Sequence, residues 1–71
     1  MLFDFNEKNV IKNNDGKIQY YKQIKPFTFG EMFNDLVCIE KLGEYLMFFS
    51  KNTKLCVGIS HISTLSLFQA V

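Results

Sequence analysis

The chain has 71 residues, of which 48% are apolar and eight are Phe, and its net charge is +1. These 71 residues are expected to form one domain at the low end of independent stability, because a chain this size buries only about 60% of its unfolded surface on folding. The longest unbroken apolar run, residues 45–49, is too short to cross a bilayer.

Residues 1–7 carry neither the basic stretch nor the apolar core of a secretory signal, so a cytoplasmic protein is expected. Cys38 and Cys56 sit in apolar runs and read as reduced, buried side chains rather than a disulfide framework. Eight Phe are a generous apolar supply for so small an interior. Some rings are therefore expected at the surface, covered by a partner or by a second copy in a homodimer. Charge is unevenly spread. Residues 1–25 hold five Lys against three acids, residues 26–50 hold Lys41 against Glu31, Asp35, Glu40 and Glu44, and residues 51–71 hold only Lys51 and Lys54. No Arg is present, which disfavours bidentate reading of phosphates and bases.

In chain order, Asn13-Asn14-Asp15-Gly16 separates two β-favouring runs, and Asp-Gly supplies the positive φ of a tight hairpin turn. Lys25-Pro26 then forces extended geometry. Thr28-Phe29-Gly30-Glu31 matches a capping box, with Phe27 and Met32 placed as a hydrophobic staple. Phe29, Met32, Phe33 and Leu36 follow at helical spacing, predicting a short helix over about 28–37. Beyond it an antiparallel meander is expected over about 37–68, with Gly43-Glu44 as a two-residue turn and residues 51–54 as the next. Residues 62–68 complete it as a last strand. The expected fold class is α+β and β-dominated: an N-terminal β-hairpin, one short helix and the meander, with closure into a small barrel as the arrangement that removes the edge strands.

No catalytic constellation is present in this order of residues, and the chain reads as a non-enzyme without a cofactor. His61 is the only histidine, and a general base needs a positioned partner. Cys38 and Cys56 have apolar neighbours where a reactive thiolate needs an electropositive setting. Cys38, Cys56 and His61 lack the close-spaced pairs of a zinc site, so no metal is expected. The glycines are isolated and form no phosphate loop.

Binding remains. Thr64-Leu65-Ser66-Leu67-Phe68 resembles the pentapeptide by which bacterial replication proteins dock on the DNA polymerase sliding clamp, a pattern of Gln, Leu, Ser or Asp, Leu and Phe. Leu65, Ser66, Leu67 and Phe68 match, and Thr64 stands where that family carries Gln. The resemblance implies an extended segment whose Leu and Phe side chains enter an apolar pocket of the clamp. Glu31, Asp35, Glu40 and Glu44 add a candidate acidic face that mimics DNA phosphate in a basic channel. Together these features resemble small phage-encoded proteins that inhibit a larger host protein. A second resemblance, spread over residues 39–49, 51–53 and 61–64, is to the bacterial Sm-like RNA chaperones, although the Tyr and Lys of that family's last-strand motif are absent. In that alternative Tyr20, Tyr21, Lys22, Lys25 and His61 form an aromatic and basic platform for RNA or single-stranded DNA.

Overall fold

The computed structural model describes residues 8–71, and the reading of residues 1–7 lies outside the described residues. Five strands form one antiparallel sheet: β1 (Tyr20–Gln23), β2 (Val37–Leu42), β3 (Tyr45–Ser50), β4 (Cys56–His61) and β5 (Phe68–Ala70). Their lateral order is β4-β3-β2-β1-β5. No helix among the described residues is long and apolar enough to cross a membrane.

The meander follows its turn chemistry. Gly43 has φ 61°, the positive value required at the first position of a two-residue hairpin turn, and it sets Leu42 opposite Tyr45. The Asn13–Gly16 turn also forms. The Asn13 side-chain oxygen accepts from the Asp15 and Lys17 amides at 2.9 and 3.0 Å, and Gly16 has φ 78°. The hairpin it closes is an excursion from the sheet. Val10 is bridged to Glu40, Lys12 to Ile18, and Tyr20 pairs with Cys38, so the chain borders β2, leaves it and rejoins it.

Alternation along the strands divides the apolar residues between two faces. Val37, Ile39, Leu46, Phe48 and Phe68 join Phe27 in the larger cluster, while Cys38 and Phe49 join Val10 on the opposite face. The sheet is strongly curled. A flat sheet would hold β3 and β5 about 14 Å apart, yet the Phe48 and Phe68 rings stack with centroids 4.8 Å apart. Curling stops short of closure, because β4 and β5 do not pair. The expected barrel is not formed.

Two expected elements take other forms. The helix over 28–37 is replaced by a turn and an irregular loop. Gly30 adopts φ 84° and its amide donates to the Phe27 carbonyl at 2.8 Å, a tight turn that a continuing helix cannot contain. So short a helix is marginal alone, and burial of both Phe27 and the inner part of Phe33 wins over its capping signal. The last strand is likewise shortened. Residues 62–67 form a 3-10 helix, η1 (Ile62–Leu67), before β5. Local polar groups favour it: the Thr64 hydroxyl donates to the His61 carbonyl at 2.7 Å, and Ser66 donates to the Ser63 carbonyl at 3.3 Å. Spacing by three then turns Ile62 and Leu65 inward to pack on the larger cluster.

Candidate functional site

The clamp-like peptide packs on the core, with Phe68 buried, Leu65 and Leu67 half-buried and Ser66 exposed. Phe68 is 7% exposed, stacks on Phe48, and contacts Phe27 and Phe33 at centroid distances of 6.0 Å. Leu65 and Leu67 pack against the same cluster, and Ser66 bonds within η1. An extended Leu-Ser-Leu-Phe segment would have to leave this core before it met a pocket, so the four matching residues serve the fold here.

The four acids do not form one face. Glu31 is exposed on the loop, and Glu40 is buried on β2. Asp35 precedes β2 while Glu44 follows it, which separates them by roughly 20 Å or more along the strand. Asp35 has a structural task. Its carboxylate accepts from the Ser50 hydroxyl at 2.5 Å, from the Asn52 amide at 3.3 Å and from the Asn52 side chain at 2.9 Å. The Ser50 hydrogen bond, with smaller help from the Asn52 and Leu36 amides and from Lys51, holds its pKa below the ordinary 3.8 despite some desolvation. A depressed carboxylate stabilises the fold above its ordinary pKa, and that contribution is lost as pH falls through the folded value. We therefore expect the urea midpoint to fall on acidification below about pH 4, the ordinary Asp value, and Asp35→Asn to flatten that fall. Urea titrations at a series of pH values test it, and parallel curves for the two proteins would contradict it.

The aromatic-basic platform is split by strand alternation. Tyr20 and Lys22 project from one face of β1, whereas Tyr21 packs on the larger cluster, where burial pushes its phenol pKa up. Lys25 lies beyond β1. His61 is at the far end of β4, edge-on to Tyr45 with centroids 6.0 Å apart, and its Nδ1 accepts from the Ser63 amide at 3.1 Å. Tyr20 instead carries Lys51, whose ammonium is 5.0 Å from the ring centroid.

Both cysteines are free thiols, and Cys56 packs against the cluster that holds Cys38. Burial pushes the Cys38 thiol pKa up, away from the thiolate a nucleophile needs. Among the described residues no three of His, Cys, Asp and Glu come together as a metal-binding group.

The feature that stands out is the loop over residues 24–36. Its organiser is Gln23, the last residue of β1, only 4% exposed. The Gln23 amide nitrogen donates to the carbonyls of Lys25 and Glu31, both at 3.0 Å, and its oxygen accepts from the Phe33 amide at 2.8 Å. Every bond has a backbone partner, which fixes the amide's orientation. Phe27 and Phe33 anchor the loop from below, edge to face at 5.5 Å, and Phe33 lies on the bare backbone of Gly58, where a Cβ would come within 3.0 Å of its ring. Held this way, the loop presents what a core would normally take. Phe29 is 72% exposed, stacked on Phe27 at 5.5 Å, and Met32 and Ile24 are also exposed. Beside Met32 runs an open groove of about 290 Å³, walled by Phe33, Asp35, Val37, Ser50 and Val57.

A Gln at the end of a strand carries no sequence signal for such a role. Phe29 and Met32 were visible only as members of a helical stripe, which would have placed them inward. No protein-family model matches the chain, and neither does any curated protein or solved structure.

Proposed function

We propose that this is a non-catalytic binding protein that modulates a larger protein by covering a site on it, with Phe29 and Met32 as the anchors. The observation that carries this reading is Phe29. An exposed aromatic ring on a loop fixed from within has little ordering entropy left to lose on binding, and rigid aromatic anchors dominate protein interfaces. The adjoining groove offers a partner side chain a place beside Met32, and Asp35 lends it negative charge. Inhibition by occupancy is the mode of action this implies.

The bacterial sliding clamp, the partner that the Leu65–Phe68 resemblance names, is the first to test, although those residues are held by the core and supply no contact of their own. On this reading it is held by Phe29, not by Phe68. Phe29→Ala with Met32→Ala should weaken capture of the partner at least tenfold, about 1.4 kcal/mol, with an unchanged circular dichroism spectrum. Leu67→Ala should act only through stability. A titration of purified clamp with each variant separates the two, and equal affinity of wild type and Phe29→Ala/Met32→Ala for a partner that binds would reject the loop.

A second reading has one observation in its favour. Tyr20 with Lys51 over its ring, and Lys22 on the same face, offers a stacking and phosphate-binding ledge for a single strand. Affinity for oligouridine that falls steeply with added salt would support it.

A further inference from the structure

The two edges of the sheet differ in kind. β5 is three residues long, and the chain end beside it is tied down, with the Val71 amide donating to the Tyr20 carbonyl at 3.1 Å and its carbonyl accepting from Gln19 at 3.2 Å. β4 is six residues long, and no strand among the described residues lies outside it. Proteins ordinarily protect such an edge with a charge, a proline, an inward-pointing Lys or a bulge. β4 has one irregularity, where its register to β3 shifts between Phe48 and Phe49, and it pairs regularly from Gly58 to His61. Residues 55–71 contain no Asp, Glu, Lys, Arg or Pro.

The hydrogen-bonding direction of this edge can be derived. The Ile62 amide donates to the Glu44 carbonyl at 2.8 Å, and Leu46 pairs with Ser60 and Phe48 with Gly58. Antiparallel bonding alternates along a strand. Gly58 and Ser60 therefore turn their backbone groups toward β3, and Ile59 turns both its N–H and its C=O away from the sheet. The His61 amide points the same way, while its carbonyl already takes the Thr64 hydroxyl.

We infer that the open edge of β4 is a dimer seam, on which a second copy of this chain lays its own β4 antiparallel about a two-fold axis through Ile59. A strand edge of alternating donors and acceptors is its own complement in that arrangement. Ile59 of each copy exchanges two N–H···O=C bonds with the other, and the His61 amides reach the flanking carbonyls. The uncharged stretch lets identical edges meet without like-charge repulsion, which a heterologous partner would not require. Side chains agree with the seam. Ile59, 63% exposed, shares a face with Met47 and Tyr45. Joining two copies makes one apolar stripe of six side chains across the axis. The seam is centred on Ile59 and not on Phe29, but Val57 of the same strand also walls the groove beside Met32, so its test reads chain mass with no partner present.

Sedimentation equilibrium of the full chain over a concentration series tests this. The wild type is expected to reach twice the chain mass, and Ile59→Lys and Ile59→Glu should each remain at the single-chain mass by repulsion across the axis. An equimolar mixture of the two variants should regain the double mass, which misfolded proteins would not do. Amide exchange of the wild type supplies a readout free of substitutions. Ile59 should slow as concentration rises, while Ser60, already bonded to β3, should not. A wild type that stays at single-chain mass, an Ile59→Lys variant that still dimerises, or exchange at Ile59 that ignores concentration would each overturn the seam.

Discussion

Phe48→Ala is expected to leave most of the chain unfolded at room temperature. Phe48 is fully buried in the middle of β3 and is the ring on which the others converge: Phe68 stacks on it at 4.8 Å, Phe33 tilts against it at 5.5 Å, and Phe27 meets it edge-on at 6.1 Å. Truncation removes the transfer free energy of a phenyl ring and leaves a cavity that a curled sheet cannot close, a loss of about 3–5 kcal/mol. A domain this small has a total stability on the order of 5 kcal/mol. The two quantities are comparable, so the substitution alone removes most of the folded population. Loss of cooperative thermal unfolding, followed by circular dichroism, is the expected result. A sharp transition within a few degrees of wild type would show that the ring cluster is not the core.

The second large effect is at Gln23. Gln23→Ala deletes three hydrogen bonds at once and leaves the Phe33 amide and the Lys25 and Glu31 carbonyls without their partner. Leaving buried backbone groups unsatisfied costs about 1–3 kcal/mol each, reduced here because the loop admits water once it loosens. A net loss of about 2–4 kcal/mol is expected. Gln23→Glu is the more informative change. Its carboxylate keeps an acceptor for the Phe33 amide but sets a second oxygen against two carbonyl oxygens. The protonated acid is therefore the form that fits, and the folded pKa of this Glu is raised above the ordinary value. Stability of Gln23→Glu is then greatest below the ordinary Glu pKa of about 4.3 and declines as pH rises through the folded value. Chemical denaturation of both variants across pH tests this. Equal stability of Gln23→Glu and wild type at neutral pH would contradict the hydrogen-bond assignment.

Gln23 also links fold to function. The residues it positions, 25, 31 and 33, bracket Phe29 and Met32 on both sides. A loosened loop still exposes Phe29 but no longer holds it, so partner affinity should drop in Gln23→Ala even where the sheet remains folded. The anchors and their support thus lie on different elements, one on a loop and one at a strand end.

The meander was legible in the sequence because its signals are local and mutually consistent. Gly43-Glu44 demands one turn type and Asn13 to Gly16 another, and the apolar runs on either side of Gly43-Glu44 favour strands, here buried on both faces. The loop over 24–36 was not legible because two local rules competed with a long-range one. Thr28 and Glu31 satisfy a helix start, and Phe29, Met32 and Leu36 satisfy helical spacing. Burial of Phe27 and Phe33 against Phe48 and Phe68 outweighs both, and these contacts join residues as distant in sequence as Phe27 and Phe68. The segment at 62–68 failed differently. Period-two alternation in Ile62, Leu65 and Leu67 is imperfect, and the Ser and Thr hydroxyls between them can satisfy backbone groups of a 3-10 turn as readily as they can face solvent. The acids were misleading for a simple geometric reason. Closeness of Asp35, Glu40 and Glu44 in sequence becomes separation along, and across, a strand.

Surplus aromatic residues predicted some exposed rings, and Phe29 and Tyr45 are such rings, the position of Phe29 depending on the loop being irregular. Cys38 is buried as expected, and with Phe49 and Val10 it forms a second buried layer on the opposite face, packed by Ile18 and Tyr20. A hairpin folded back on its own sheet allows a small chain to bury apolar residues on both faces.

The claim on which the account rests is that Phe29 and Met32 serve binding rather than folding. Its most direct measurement is the affinity of one purified protein partner for wild type and for Phe29→Ala/Met32→Ala, each first shown to unfold at the same urea concentration. Equal unfolding midpoints and at least a tenfold loss of affinity are expected. Unchanged affinity with equal midpoints would contradict it.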